Sequence, residues 1–174
     1  EPLGVAIHAV DVSHLRPGDD VLVVGAGPIG VLAIQVAQRG GASRVFVTEP
    51  LQHRRATALR HGADAAWSPA EGAVEVLDAT GGRGVDVVIE LAGTDAGIAT
   101  AVAAVRPGGR VALAGIPSED QSSFPAAAAR RKGLTFAMVR RMKDTYPRAI
   151  ALAAGGVAEP RGGRRAPAPP GGRP

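Results

Sequence analysis

Three glycines at a fixed spacing are the first residues in this sequence that could do chemistry. Gly25, Gly27 and Gly30 form the pattern Gly-x-Gly-x-x-Gly. The pattern directly follows the apolar run 21–24 and contains Pro28, a residue type that favours the first turn of a helix. A glycine-rich turn between a strand and a helix leaves backbone N–H groups free at the start of the helix, where they bind phosphate. We therefore predict a phosphate-binding turn at these glycines.

A carboxylate at the end of the next predicted strand extends this pattern. Glu49 follows Gly30 by about 20 residues, the spacing at which dinucleotide-binding domains place an acid that accepts hydrogen bonds from the adenosine ribose. In such domains the first glycine allows a tight turn, the second lets the backbone approach the pyrophosphate, and the third lets the helix pack against the strand. Because a carboxylate would repel the 2′-phosphate of NADP, we predict NAD as the cofactor. A glycine-rich turn that binds no ligand stays open as the alternative.

Several other active-site patterns do not occur in the sequence. It contains no Gly-x-x-x-x-Gly-Lys-Ser/Thr, no Gly-x-Ser-x-Gly and no His-Glu-x-x-His, and it has no cysteine. Thiolate nucleophiles and cysteine-ligated zinc are therefore excluded within this sequence. The single tyrosine, Tyr146, is followed four residues later by Ile150, so the Tyr-Lys pair of short-chain dehydrogenases is also absent.

Short apolar runs alternate with longer Ala-rich stretches and indicate the elements that position these residues. Strands are predicted at 21–24, 44–48, 65–67, 85–89, 109–114 and 134–139. Helices are predicted at 28–39, 52–60, 73–79, 95–105, 125–131 and from about 145 to 154, with Asp144 or Thr145 capping the last one. Strands separated by helices in this way imply parallel βαβ units. The predicted fold is α/β, a doubly wound parallel sheet of the Rossmann NAD-binding type, incomplete at its C-terminal side.

Composition divides the chain into three parts. Residues 1–20 are predicted to be a linker and helix, 21–154 the NAD-binding domain, and 155–174 a disordered tail rich in Gly, Pro and Arg. The arginines of the tail account for the net charge of +4, and aromatic residues make up only 3%, so we predict no nucleic-acid partner. No apolar run reaches the ~20 residues of a membrane span. We expect no membrane association, no export signal and a cytoplasmic location.

The ordered set of motifs resembles the zinc-containing medium-chain dehydrogenases, most closely the sorbitol, xylitol and threonine dehydrogenase branch. The similar segments are residues 1–9, 21–30, 47–49, 62–64, 90–93, 107–110 and 141–147. The resemblance covers residues 1 to about 154. It implies an NAD-dependent enzyme that oxidises a small secondary alcohol or polyol by hydride transfer to nicotinamide, while a catalytic zinc ion polarises the alcohol oxygen.

The resemblance also implies roles for individual residues along the cofactor. Pro28 and Ile29 would line the pyrophosphate turn, and Glu49 would hold the adenosine ribose. Arg54 would lie near the adenosine, although a solvated position on its helix is the open alternative. The residues implied to lie beside the nicotinamide are Ala114, Gly115 and Ile116.

Two further residues are implied to face the substrate side. Arg141 matches an arginine that contacts polyol oxygens, with a generic surface arginine as the alternative. Glu1 matches a glutamate near the catalytic zinc, although a chain-terminal residue can simply be frayed. The edge strand from Leu134 to Val139 is implied to pair with a second copy of the chain.

The principal zinc ligands of the family, a Cys and a His-Glu pair, belong to a catalytic domain that this sequence lacks. We therefore expect zinc only in a full-length family member. The hypothesis that follows is a truncated or frame-shifted piece of a longer dehydrogenase, inactive or weakly active by itself. Three alternatives stay open: a non-catalytic nucleotide-binding module or remnant, a zinc-independent oxidoreductase of the quinone-reductase type, and a methyltransferase.

Overall fold

The structure, a computed structural model, describes residues 1–156. Within these residues the strands are β1 Asp20–Val24, β2 Arg44–Thr48, β3 Ala65–Trp67, β4 Val85–Glu90, β5 Val105–Leu113 and β6 Thr135–Met138. The helices are α1 Pro2–Ser13, α2 Pro28–Arg39, α3 Gln52–Arg60, α4 Pro69–Ala79, α5 Asp95–Ala104, α6 Ala126–Lys132 and α7 Tyr146–Ala154. Apart from its first two glycines, the predicted disordered tail lies outside the described residues.

The strands form one parallel sheet in the order β3-β2-β1-β4-β5-β6. The direction of strand succession reverses between β1 and β4, and a crevice at such a switch point is where open α/β sheets bind ligands. The predicted α/β fold with a doubly wound parallel sheet is confirmed. Its expected incompleteness concerns the chain after α7, beyond the described residues.

The core lies on both faces of the sheet because the central strands are buried on both sides. In β1, Val21 and Val23 face one hydrophobic cluster, whereas Leu22 and Val24 face the other. Helices α1, α2 and α3 contribute to the first cluster, and α4 and α5 contribute to the second. Helix α1 is therefore part of the core that holds the sheet. No helix within residues 1–156 is both long and apolar enough to cross a membrane.

Helix α4 begins at Pro69 instead of residue 73, and two further predicted details differ from the structure. Strand β5 begins at Val105 instead of residue 109, because residues 106–109 form an irregularity: Val85 pairs with Val105, whereas Val87 pairs with Arg110. Residues 106–108, which lie outside the predicted strand, are thus held against β4.

The second difference concerns the start of α7. Thr145 occupies the N-cap position of this helix, but its side chain makes no capping hydrogen bond. The buried Thr145 hydroxyl instead lies within hydrogen-bond distance of two carbonyl oxygens, that of Met142 at 2.5 Å and that of Gly4 in α1 at 3.0 Å. The predicted side-chain cap by Asp144 or Thr145 is therefore wrong, because the Thr145 hydroxyl faces carbonyl oxygens and not the N–H groups of α7.

A buried carboxylate organises the amino ends of β1 and β4. Asp86 accepts hydrogen bonds from the backbone N–H of Asp20 at 2.9 Å, from Arg83 Nη1 at 2.8 Å and from Arg106 Nε at 2.6 Å. These partners, with Arg83 contributing most, hold the pKa of Asp86 well below its usual range. The Arg106 contact is also what ties the β5 irregularity to β4.

We expect Asp86→Asn to lower the free energy of unfolding at pH 7 by about 2 to 3 kcal/mol, because it leaves charged donors without their carboxylate. A folded-state pKa below the unfolded value gives stability that is present above about pH 4 and lost as the pH falls through the folded pKa. The difference between wild type and variant should therefore shrink on acidification. Urea unfolding at several pH values measures it.

The matched control is Asp11→Asn, which removes a surface carboxylate paired with Arg148 on α7. Because exposed ion pairs contribute about 0 to 1 kcal/mol, this variant should change stability little at any pH. A loss in Asp86→Asn that stays constant down to about pH 2 would contradict the assignment.

Candidate functional site

The glycine-rich turn lies at the carboxyl end of β1, where the sequence predicted it. Gly25 has a φ of 97°, a conformation that side chains disfavour, and its N–H donates to the carbonyl of Thr48 at 2.8 Å. Gly27 is the N-cap of α2, Pro28 is its first residue, and no side chain caps this end. The first N–H groups of a helix have no partner within the helix. The turn therefore presents backbone donors and the positive end of the helix dipole.

The two remaining glycines have opposite surroundings. A Cβ atom at Gly30 would lie 2.1 Å from the carbonyl oxygen of Gly25, so only glycine lets α2 pack this closely on the turn. A Cβ atom at Gly27 would meet nothing within 4 Å. Packing within the described chain does not require glycine there, but close approach of a ligand to the backbone does. The open space before Gly27 therefore fits a pyrophosphate.

Glu49 follows β2 directly and its side chain points back to this turn. It is 3% exposed, its Oε2 accepts from the N–H of Ala26 at 2.9 Å, and its Oε1 accepts from the N–H of Leu51 at 3.0 Å. A carboxylate has about four acceptor positions, so these two bonds leave others for the hydroxyls of a ribose. The backbone bonds fix Glu49 beside the turn.

A cavity of about 360 Å³ opens at the carboxyl ends of β1 and β2. Its lining includes Gly25, Gly27, Glu49 and Arg54, together with residues 91, 92 and 94 after β4 and residues 96, 97 and 100 of α5. Pro28 and Ile29 start α2 and do not line this cavity. The structure thus brings the glycine turn, Glu49 and Arg54 to one concave site.

Arg55 is a neighbour of this site that the sequence analysis did not single out. Its Nη1 donates to the carbonyl oxygens of Glu49 at 2.8 Å and Pro50 at 2.7 Å. The next residue back, Arg54, is exposed at the cavity. Consecutive helical residues point in different directions, so one arginine braces the end of β2 while the other faces the open space.

Residues 114–116 continue from β5 on the other side of the switch point. The N–H groups of Ala114 and Gly115 donate to the carbonyl oxygen of Glu90 at 2.8 and 2.9 Å, and Ile116 is 89% exposed. A Cβ atom at Gly115 would lie 2.2 Å from the backbone nitrogen of Gly93. This segment is therefore tightly packed against the loop after β4, with the Ile116 side chain free.

Glu90 is a second residue that the sequence analysis did not assign to the site. It ends β4, is 1% exposed, and its Oε1 accepts from the N–H groups of Ala92 at 2.9 Å and Gly93 at 2.8 Å. Burial raises the pKa of Glu90, although these backbone hydrogen bonds oppose the shift. An acid that directly follows the apolar run Val87–Ile89 was the signal that could have identified it.

Arg141 and Glu1, the two predicted substrate-side residues, do not line the cavity described above. Arg141 is exposed before α7 with a φ of 43°, and Glu1 is exposed at the start of α1 without a side-chain capping bond. Within residues 1–156, no group of three or more His, Cys, Asp or Glu side chains is arranged to hold a metal ion.

Comparison with known protein families assigns the chain to one of them. The profile of the family described as "Zinc-binding dehydrogenase" matches residues 28–155, which run from α2 to the end of α7. The chain belongs to the zinc-binding dehydrogenase family. This finding confirms the resemblance predicted from the sequence.

Individual zinc-binding dehydrogenases show which portion of a family member this chain matches. Sorbitol dehydrogenase of Bacillus subtilis is 32% identical over 161 residues, which are 91% of this chain and 46% of that protein. L-threonine 3-dehydrogenase of Pyrococcus furiosus is 44% identical over 118 residues, 67% of this chain and 34% of that protein. A zinc-binding dehydrogenase of Sinorhizobium meliloti 1021, solved bound to NADP, superposes with a TM-score of 0.82 at 30% identity and covers 91% of this chain and 48% of that one.

The chain thus spans between about a third and a half of the length of these relatives. Because the superposed structure covers 91% of this chain, which forms the six-stranded parallel sheet with its glycine-rich turn, the chain corresponds to the Rossmann cofactor-binding domain of zinc-binding dehydrogenases.

Proposed function

We propose that this chain binds NAD and supplies the cofactor-binding part for the oxidation of a small secondary alcohol or polyol. The observation that carries the proposal is the open space in front of Gly27, at the uncapped start of α2. Glu49 supports it, because its carboxylate is bonded to the N–H of Ala26 within the same turn. The relatives named sorbitol dehydrogenase and L-threonine 3-dehydrogenase support the substrate class.

Each part of the dinucleotide has a proposed place in the chain. The pyrophosphate would accept hydrogen bonds from the N–H groups at the start of α2, beginning with that of Ile29, since Pro28 has no N–H and would only line the turn. The adenosine ribose would donate to Glu49, and Arg54 would lie near the adenosine. The residues proposed to face the nicotinamide are Ala114, Gly115 and Ile116. When bound, the nicotinamide accepts the hydride; the chain itself binds and orients it.

The described residues do not fit a zinc centre, since they hold no metal-binding group and the sequence has no cysteine. We therefore assign no zinc-dependent step to this chain and expect it to oxidise little or no alcohol alone. Contact of Arg141 with the substrate and a zinc-proximal position of Glu1 stay proposals, as does a cytoplasmic location.

Association of two copies through β6 is also a proposal. The strand lies at an edge of the sheet, as predicted, and Met138 on it is 78% exposed. An edge strand presents unpaired backbone donors and acceptors to which another strand can bind.

Calorimetric titration with NAD and NADP tests the proposed cofactor. We expect tighter binding of NAD, and we expect Glu49→Gln to reduce the affinity for NAD about tenfold while removing most of the preference over NADP. Glutamine keeps the volume and one acceptor oxygen but lacks the charge that opposes the 2′-phosphate. Glu49→Ala should weaken NAD binding further, because it leaves the N–H groups of Ala26 and Leu51 without an acceptor.

Glu75→Gln is the matched control, since it removes one negative charge from α4 at a residue that does not line the cavity. The NADP-bound relative makes preference for NADP the competing result. Tighter binding of NADP by the wild type, or a preference that survives Glu49→Gln, would contradict the proposed role of Glu49.

A further inference from the structure

Glu90 is the one strongly buried carboxylate at the switch point to which the proposed function gives no role. It is the last residue of β4, where it pairs with Val24 of β1 on one side and Leu113 of β5 on the other. With a side chain that is 1% exposed, it touches neither solvent nor the open cavity. Any part it plays must therefore act through the backbone around it.

Glu90 is bonded to two different loops by two different groups. Its side-chain Oε1 accepts from the N–H groups of Ala92 and Gly93, in the loop after β4. Its backbone carbonyl accepts from the N–H groups of Ala114 and Gly115, in the segment after β5. One residue thus fixes both segments that border the proposed nicotinamide position.

Glycines allow the backbone to close around this carboxylate. A Cβ atom would lie 2.7 Å from Oε1 if placed at Gly97, and 2.7 Å from Oε2 if placed at Gly115. The two loops also touch each other, because a Cβ atom at Gly93 would lie 2.4 Å from the carbonyl oxygen of Ile116. The two loops therefore close on each other and on the Glu90 carboxylate, with no room for a side chain at Gly93, Gly97 or Gly115.

An apolar residue would be the simpler choice for packing alone. Burying a carboxylate is unfavourable unless hydrogen bonds compensate for the lost water. The preceding residues of β4 from Val87 to Ile89 are apolar and equally buried. The acid at the last position is thus explained by the backbone donors that it holds.

We propose that Glu90 is a positioning residue that sets the distance between the loops after β4 and β5 and thereby places residues 114–116 against the nicotinamide half of the dinucleotide. The inference rests on the proposed function, since it presumes that the nicotinamide lies at those residues. It assigns Glu90 no contact with the cofactor. Its effect should be larger on the nicotinamide half than on the adenosine half, because residues 114–116 lie outside the cavity that Gly27 and Glu49 share with the loop after β4.

The test compares two ligands that differ only in the nicotinamide, NAD and ADP-ribose, by calorimetric titration of the whole chain. Both hydrogen bonds of the side chain go to Oε1, so Glu90→Gln can keep them through its amide oxygen, whereas Glu90→Ala removes the acceptor. We expect Glu90→Ala to weaken NAD binding about tenfold and ADP-ribose binding less than about twofold. Glu75→Gln on α4, away from both loops, is the control for loss of one charge and should change neither affinity.

A second variant alters the contact between the two loops from the segment after β5. Gly115→Ala would place its Cβ 2.2 Å from the backbone nitrogen of Gly93 and should produce the same split between the two ligands. Thermal unfolding confirms that each variant is folded before titration, and Glu90→Asp, which withdraws the carboxylate by one methylene group, takes the place of Glu90→Ala if the latter does not fold.

The outcomes separate this inference from the function on which it rests. A loss of affinity for NAD with little change in affinity for ADP-ribose supports the inference about Glu90. Equal losses for NAD and ADP-ribose would overturn it, since Glu90 would then serve only the fold, and so would unchanged binding of both. A wild-type chain that binds neither ligand would overturn the proposed function itself.

Discussion

Gly30→Ala is expected to lower the free energy of unfolding by about 3 kcal/mol or more and to abolish measurable NAD binding. The new Cβ would lie 2.1 Å from the carbonyl oxygen of Gly25 and 3.0 Å from its carbonyl carbon. Both atoms belong to the backbone of the turn, so no side chain can move to make room. Helix α2 must shift away from β1, which opens the core around Ala33 and Ile34 and displaces the donors at the start of the helix.

Urea unfolding followed by circular dichroism measures the first effect, and calorimetric titration of the folded fraction measures the second. The comparison residue is Ala33, whose replacement by glycine removes a buried methyl group one turn further along α2. That change should lower the free energy of unfolding by about 1 to 2 kcal/mol and leave the turn intact. A Gly30→Ala protein as stable as the wild type would show that the turn is looser than its contacts indicate.

Gly27→Ala is expected to have the second-largest effect, on binding instead of stability. Because a Cβ there meets no atom of the described chain within 4 Å, and because φ of Gly27 is −67°, alanine fits the folded backbone. Alanine is a poorer N-cap than glycine, so stability should fall by no more than about 1 kcal/mol. The methyl group would occupy the space proposed for the pyrophosphate, and we expect NAD affinity to fall by about 10- to 100-fold.

The two glycine variants control for each other, since each inserts one methyl group into the same turn. Parallel titrations with ADP would show whether the loss in Gly27→Ala already arises with the diphosphate alone, as expected. Unchanged affinity in a folded Gly27→Ala protein would place the dinucleotide elsewhere, and the proposed function would fail with it.

The central strands and the glycine turn could be predicted because their signals are local. The continuous apolar run 21–24 becomes β1, which is buried on both faces, and Pro28 starts α2 where a proline is tolerated. The spacing of Gly25, Gly27 and Gly30 describes the turn without knowledge of what packs against it. Family membership followed from the same segments.

Features that depend on distant partners could not be predicted in this way. The irregularity of β5 is held by Arg106 on Asp86, and the Thr145 hydroxyl is used by Gly4. Asp86 and Gly4 are distant in sequence from Arg106 and Thr145, so rules applied to short segments could not include these contacts. The proposed role of Glu90 was missed for the same reason, because the N–H groups that donate to it come from two loops that only the folded sheet brings together.

The single tryptophan gives the protein an intrinsic optical reporter at a useful place. Trp67 ends β3, its ring centroid lies 5.6 Å from that of Phe46, and its carbonyl accepts from the N–H of Glu49 at 3.0 Å. A reduced nicotinamide ring absorbs light in the range where indole emits. Arrival of NADH could therefore be followed by quenching of this one fluorophore, with no label attached and no second tryptophan to obscure the signal.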